Sequence, residues 1–276
     1  MDNLTLGFIG GGNMARSLIG GLIADGRDPA TIRVSDVDAQ QLDSLKTTLA
    51  VQTTSSNREL AEQADIIVLA VKPQMLKQVA TELADVARRR DPLFLSIAAG
   101  IRANDINRWL GGEATIVRAM PNTPSLIQAG ATALVANSKV SQAQRDQAES
   151  IMRAVGIALW LDDEEQMDTV TALSGSGPAY FFLFMEALEQ AAISQGLGAE
   201  TARLLTLQTG FGATKMALES SEPLSTLRQR VTSPGGTTEQ AIGAFEEGGI
   251  RQLVDNALKA ARDRSIFLAD ELGEEK

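Results

Sequence analysis

Apolar and polar positions follow two different rhythms along this chain, and the change falls just after Leu161. Before it, short apolar runs without helical period alternate with stretches that have one. Residues 4–9, 32–34, 66–71, 93–97, 114–117, 132–135 and 157–161 read as strands. The run 66–71 is apolar throughout and closes at Pro73, as a strand buried on both faces does. Residues 39–49, 74–87, 101–110 and 142–154 carry helical spacing, and Leu76, Val79, Ala80, Leu83 and Val86 share one face of the second of these. Asn57 is placed to cap a short helix from Arg58. Strands that alternate with helices predict an α/β fold with a doubly wound, mostly parallel sheet. After the acidic stretch 162–165 no strand-like run remains. Helices are expected at 166–172, 179–195, 199–220, 224–230, 238–246 and 250–272, punctuated by Gly196, Gly198, Pro223, Gly235-Gly236 and Gly248-Gly249. The expectation is therefore two domains, a doubly wound one over 1–162 and an all-helical one over 163–276.

One helix breaks the usual pattern. Tyr180-Phe181-Phe182-Leu183-Phe184-Met185 is apolar around its whole circumference. Such a helix is buried on all sides, and a small helical domain does not surround it alone. A second subunit is expected to cover part of it, giving a symmetric homodimer or a larger assembly; a stable monomer in dilute solution would remove that expectation.

Composition narrows the chemistry. The net charge of −10 argues against a nucleic-acid surface and against anionic membranes, so any phosphate site must be local. Residues 179–185 are the most apolar stretch and are far too short to span a bilayer. The first strand begins too early to leave room for a signal peptide, and a soluble cytoplasmic protein is expected. Cysteine and histidine are both absent, which removes disulfides, thiolate chemistry, a histidine base and the commonest zinc ligand. No metal site is expected. The reaction must use Lys, Glu, Asp, Tyr, Ser or Thr, or need little acid–base help.

The first strand runs into Gly10-Gly11-Gly12-Asn13-Met14-Ala15 and then into a helical pattern. Gly10-x-Gly12-x-x-Ala15 fits the dinucleotide fingerprint in its Ala-ending form. Gly10 permits the tight turn, Gly12 lets the backbone approach a pyrophosphate, and Ala15 lets the helix lie close to the strand. Helix N–H groups then favour phosphate charge. Domain 1–162 is thus read as a Rossmann-like, dinucleotide-binding domain. The second strand ends at Ser35-Asp36; an acid there hydrogen-bonds the adenine ribose, whereas a hydroxyl such as Ser35 could donate to a 2′-phosphate. Asp36 is equally a turn or helix-cap residue by type. Lys72, Asn57 and Ala98 fall on the carboxyl edge where open α/β sheets bind ligands. Ser233-Pro234-Gly235-Gly236-Thr237-Thr238 ends at a helix start. Thr237-x-x-Gln240 has capping-box spacing, and Gly236, Thr237 and Thr238 equally present donors to a small carboxylate.

Six segments, taken together, carry a resemblance. They are Phe8–Met14, Ala70-Val71-Lys72-Pro73, Ile97-Ala98-Ala99-Gly100, Arg118–Pro124, Ser174–Tyr180 and Ser233–Thr238, in order across nearly the whole chain. On these the chain resembles the pyrroline-5-carboxylate reductase family. The resemblance implies a Rossmann domain, a helical dimerisation domain, a homodimer with a ring of five dimers as the larger form, and an active site at the subunit boundary. It implies hydride transfer from NADPH or NADH to 1-pyrroline-5-carboxylate, giving L-proline in the last step of proline biosynthesis. By motif, Gly10, Gly11, Gly12, Asn13, Met14, Ser35, Asn57, Ala70, Val71, Lys72, Pro73 and Ala98 would contact the dinucleotide. Gly236, Thr237 and Thr238 would hold the substrate carboxylate, with Thr238 reaching the ring nitrogen; Glu164, Ser176 and Asn122 lie near the pocket. NADPH is the family's habit, and Asp36 with no arginine after it departs from the NADPH-committed pattern. The alternatives are another imine reductase, a β-hydroxyacid dehydrogenase, whose catalytic lysine the helix after Gly177 lacks, or a non-catalytic NAD(P)-binding regulator.

Overall fold

The computed structural model describes residues 4–274. The chain falls into two compact units: one runs through Ser176 and resumes at Ala261, and the other is Gly177–Ala260.

The first unit is built on one sheet with strands β1 (Leu6–Ile9), β2 (Ile32–Ser35), β3 (Gln52–Thr54), β4 (Ile66–Leu69), β5 (Leu93–Ser96), β6 (Thr115–Met120), β7 (Gly130–Ala136) and β8 (Gly156–Trp160). Their order is β3-β2-β1-β4-β5-β6-β7-β8. Every neighbouring pair is parallel except β6 with β7. The connections are α1 (Asn13–Ala24), α2 (Ala39–Leu49), α3 (Asn57–Ala61), α4 (Pro73–Glu82), α5 (Ala84–Arg90), α6 (Ala103–Trp109) and α7 (Gln142–Arg153), and after β8 comes α8 (Gln166–Val170), which opens into a π turn at Thr171–Gly175. Both faces of the sheet are covered. Leu6, Phe8, Leu18, Ile19, Val34 and Val68 pack on one side, and Ile9, Ile67, Leu69, Leu76, Phe94 and Ile116 on the other. Each such side chain contributes about 1.5–3 kcal/mol on burial. This two-sided burial is why the strands read as unbroken apolar runs and not as alternations.

Three local features differ from the sequence reading, and a fourth, the direction of β7, is one it leaves open. The short β3 is polar, Gln-Thr-Thr, and pairs only with β2 at the sheet's edge, so it carries no apolar signal. Residues 74–87 do not form one helix: the Leu83 N–H is shared between the carbonyls of Val79 and Ala80, at 3.3 and 3.1 Å, and the chain turns there between α4 and α5. The cap of α3 is Ser56, whose Oγ accepts from the Glu59 N–H at 3.1 Å, with Asn57 one position inside the helix. β7 runs against β6 because only a single short 3-10 turn, Thr123–Ile127, joins them, and a parallel return needs a longer crossover.

The second unit is helical: α9 (Gly177–Ser194), α10 (Ala199–Glu219), α11 (Leu224–Arg230), α12 (Thr237–Glu247) and the first part of α13 (Ile250–Gly273). Helix α9 packs along α10, and the Phe184 and Phe245 rings meet with centroids 5.9 Å apart. Among the described residues of this unit, only Gly177 and Ala202 are buried. Phe181, Phe182, Leu183, Leu205, Phe211 and Leu218 all stand in the open. Among the described residues, no helix is long and apolar enough to cross a membrane.

Candidate active site

Parallel strands bring the carboxyl ends of β1, β2, β3, β4 and β5 to one edge, and the strand order reverses between β1 and β4. The crevice at such a reversal is where open α/β sheets take ligands. Gly10–Met14 follows β1, Ser35 and Asp36 end β2, Asn57 opens the helix after β3, Ala70–Pro73 follows β4, and Ala98 follows β5. All the candidate cofactor residues therefore share this edge.

The glycine loop is fixed by main-chain bonds: the Gly10 N–H donates to the Ser35 carbonyl at 2.8 Å, and the Ala70 N–H to the Ile9 carbonyl at 2.8 Å. Gly10 has φ +98°, and a Cβ there would stand 2.7 Å from the Ala70 carbonyl oxygen. Gly12 differs, because a Cβ there would meet nothing within 4 Å. Gly12 is also the N-cap of α1, no side chain caps that helix, and its first turn holds no acid. The open volume and the uncapped N–H groups suit a pyrophosphate. The residues present thus fit a bound dinucleotide.

Around the loop the polar side chains are largely committed. Asp36 Oδ2 accepts from the Gly11 N–H at 2.7 Å and Oδ1 from the Asp38 N–H at 2.9 Å. Ser35 is fully buried and its hydroxyl donates to Asn57 Oδ1 at 2.8 Å. Lys72 is exposed and stands at the N-cap position of α4 without a side-chain cap, with Pro73 at the first helical position, where its missing N–H costs nothing. Ala98 is buried, its N–H 3.4 Å from Ser96 Oγ.

The two glycines predict opposite results. Gly10→Ala forces an L side chain into a left-handed backbone against a carbonyl and should cost about 1–3 kcal/mol of stability. Gly12→Val should melt near the wild-type temperature yet bind NADH at least about tenfold more weakly, because it fills only the ligand's space. Thermal melts and a titration of NADH fluorescence check both.

Two of the polar turns meet in the first unit. Asn122 Nδ2 donates to the Ser174 carbonyl at 3.3 Å and to its Oγ at 3.1 Å, while Oδ1 accepts from the Ala131 N–H at 2.9 Å. A Cβ on Gly175 would lie 2.5 Å from Met120 Cε, so this glycine admits the methionine tip. Ser176 is half-buried, its N–H closing the π turn onto the Thr171 carbonyl at 2.9 Å. Glu164 forms an ion pair with the buried Arg118 and accepts from the Ala103 N–H at 2.7 Å, tying β6 to the start of α6. Sequence reading names Glu164 and misses this partnership; an arginine flanked by apolar residues within β6 is the signal that points to it.

In the second unit the turn 233–238 has its own geometry. The N-cap of α12 is Gly236, not Thr237, and no side chain caps the helix. The capping box suggested by Thr237-x-x-Gln240 does not form. Gly235, at φ +69°, instead gives its N–H to Glu239 Oε2 at 2.7 Å. Thr237 is exposed and Thr238 half-buried, both in the first turn of α12. The Gly236 N–H is given to the Ser233 carbonyl at 3.0 Å and Glu239 lies in the first turn, so what the helix keeps for a carboxylate is the Thr237 and Thr238 N–H groups and their two hydroxyls. Among the described residues no cluster of acids could hold a metal ion.

A doubly wound sheet with an open glycine loop, followed by a helical unit with little core of its own, defines a dinucleotide-binding protein with a second, association-type domain. Comparison with known proteins gives the particular kind. Residues 164–268 match the family model for pyrroline-5-carboxylate reductase dimerisation, and residues 5–100 that for NADP oxidoreductase, coenzyme F420-dependent. A pyrroline-5-carboxylate reductase of Pseudomonas aeruginosa is 52% identical over 99% of this chain and 100% of its own. The solved reductase of Coxiella burnetii superposes with a TM-score of 0.93 at 52% identity, covering 96% of this chain and 98% of that one. That of Plasmodium falciparum, solved with NADP bound, gives 0.86 at 32% identity over 98% and 99%. The chain belongs to the pyrroline-5-carboxylate reductase family.

Proposed function

We propose that this chain reduces 1-pyrroline-5-carboxylate to L-proline, with the dinucleotide on the edge formed by Gly10–Met14, Ser35, Asp36, Asn57, Ala70–Pro73 and Ala98, and the substrate carboxylate on Gly236, Thr237 and Thr238. The observation that carries it is the uncapped N-terminus of α12: two threonines and free N–H groups stand where a cap would otherwise be. Family membership at 52% identity over the whole chain supports the reaction itself.

The chemistry suits a chain without histidine or cysteine. When bound, the reduced nicotinamide supplies the hydride. A protonated cyclic imine is already electrophilic at carbon, so the protein needs no strong acid. Hydride on carbon turns the iminium into a neutral secondary amine, which then takes a proton from water. The threonine turn neutralises and orients the carboxylate, and Thr238 Oγ1 accepts the iminium N–H, fixing which face meets the cofactor. Asn122, Ser176 and Glu164 are assigned near the pocket on the family resemblance, and Glu164 acts through Arg118, tying β6 to the start of α6.

The bare apolar surface of the second unit fits the family's dimerisation domain, and a homodimer follows. We assign the larger assembly, five such dimers, and a cytoplasmic location on the family resemblance. The reaction is tested by following NADH and NADPH absorbance at the purified chain on addition of 1-pyrroline-5-carboxylate. Oxidation with stoichiometric proline is expected, and no oxidation with either cofactor contradicts the assignment.

A further inference from the structure

We propose that Asp36 makes this chain favour NADH over NADPH, by holding a fixed negative charge where the 2′-phosphate would sit. The inference rests on the reading of the strand-end edge as the dinucleotide site. In that fold the adenine ribose lies against the end of β2 and the glycine loop. Asp36 occupies that corner and is clamped from two sides, Oδ2 by the Gly11 N–H at 2.7 Å and Oδ1 by the Asp38 N–H at 2.9 Å. A carboxylate so held still offers lone pairs to the ribose 2′- and 3′-hydroxyls, which donate. A 2′-phosphate has negative charge and acceptors only, so the same corner repels it.

Among the described residues, the groups that could offset that repulsion are few and mostly engaged. The Ser35 hydroxyl, the natural donor to a 2′-phosphate, is fully buried and already given to Asn57 at 2.8 Å. Asn57 in turn donates to Glu82 at 3.3 Å, which brings another acid to the rim. Arg33 pairs with Gly7 and Gln52, three positions back from Asp36 in β2 and about 10 Å from it along the strand. Arg16 is held by Gln41, through its main-chain oxygen at 3.3 Å and Oε1 at 3.2 Å; both partners are neutral, so its charge stays beside the corner and offsets part of the repulsion. Val37, the next residue, is 99% exposed and neutral, and NADP-binding members of the fold carry an arginine near this place. Asp38 follows and caps α2, accepting from Gln40 at 2.9 Å and Gln41 at 3.3 Å. Asp36 therefore dominates the corner, with the Ser35 hydroxyl spent, Val37 uncharged and Arg16 held to one side by Gln41.

The test is binding without substrate, by calorimetry on the full chain, with NADH, NADPH, 5′-ADP and 2′,5′-ADP as probes. The wild type should bind NADH at least about tenfold more tightly than NADPH, and 5′-ADP more tightly than 2′,5′-ADP, with the gap widening at low salt. Asp36→Asn keeps an acceptor for the Gly11 N–H and should bring the two cofactors within about threefold. Asp36→Ser combined with Val37→Arg should reverse the order. Equal or tighter binding of NADPH by the wild type overturns the proposal, as does an unchanged ratio in Asp36→Asn. Turnover with 1-pyrroline-5-carboxylate is read separately. Its absence with both cofactors would remove the assigned reaction, while the binding ratio would still decide the role of Asp36.

Discussion

Replacing Phe181 and Phe182 together by glutamate is expected to leave the chain monomeric, with its helical half unfolded. Both rings are about two-thirds exposed on α9, at 67% and 65%, and Leu183 beside them at 66%. Soluble monomers do not present so much contiguous apolar surface. The same unit buries only Gly177 and Ala202 among its described residues, so its helices hold each other with little of the burial that stabilises a domain. Most of the stabilisation must come from a second copy, and folding and association of this half are then one equilibrium. Each phenylalanine removed forfeits about 1.5–3 kcal/mol of burial, and a glutamate in an apolar interface adds a desolvation penalty of similar or larger size. The two substitutions sit in both copies of a symmetric dimer, which doubles the loss. Size-exclusion chromatography with light scattering should report the monomer mass. Far-UV circular dichroism should lose much of the helical signal, while the nucleotide unit keeps a cooperative melt. A variant of wild-type mass and helicity would show that another surface makes the assembly.

Thr238→Ala should lower kcat/KM by about 10- to 100-fold, the worth of one hydrogen bond to a charged group. The fold should be unaffected, because neither Thr238 nor Thr237 caps α12. The two threonines should separate kinetically. Losing a bond to the carboxylate, present in ground and transition states alike, raises KM; losing the bond that orients the ring nitrogen lowers kcat. Thr237→Ala is therefore expected mainly in KM and Thr238→Ala mainly in kcat. Steady-state kinetics at saturating NADH give both numbers, and wild-type kcat in Thr238→Ala removes that residue from the reaction.

The nucleotide half is highly legible in the sequence because buried parallel strands advertise themselves. Residues 66–69 are apolar at every position, and of the glycines that follow β1 Gly10 is demanded by backbone geometry, whereas a side chain at Gly12 would meet only open space. What escapes is set by other forces. β3 is a polar edge strand held by main-chain pairing alone, which no side-chain pattern records. Ser56 and Asn57 are both good caps by type, and only the local φ and ψ choose between them. The break at Leu83 sits on an apolar position that continues the helical period, so periodicity runs straight through it. The candidate site divides in the same way. Asp36 is visible from its place at the end of a strand, whereas its two N–H partners and the burial of the Ser35 hydroxyl exist only once the loops close. At α12 the Thr-x-x-Gln spacing suggests a cap that the fold does not use, because Gly236 takes the cap position and leaves the threonines free.

The central claim is that a cyclic imino acid, gripped by the turn at 236–238, receives hydride from a nicotinamide seated on the glycine loop. A crystal structure of the assembled protein with oxidised cofactor and proline measures this directly. The account predicts the proline carboxylate on the Thr237 and Thr238 main-chain N–H groups, its ring nitrogen within hydrogen-bond distance of Thr238 Oγ1, and the nicotinamide facing Cδ, the ring carbon on nitrogen that does not carry the carboxylate. Proline bound elsewhere, with the threonine turns of every subunit empty, would contradict it.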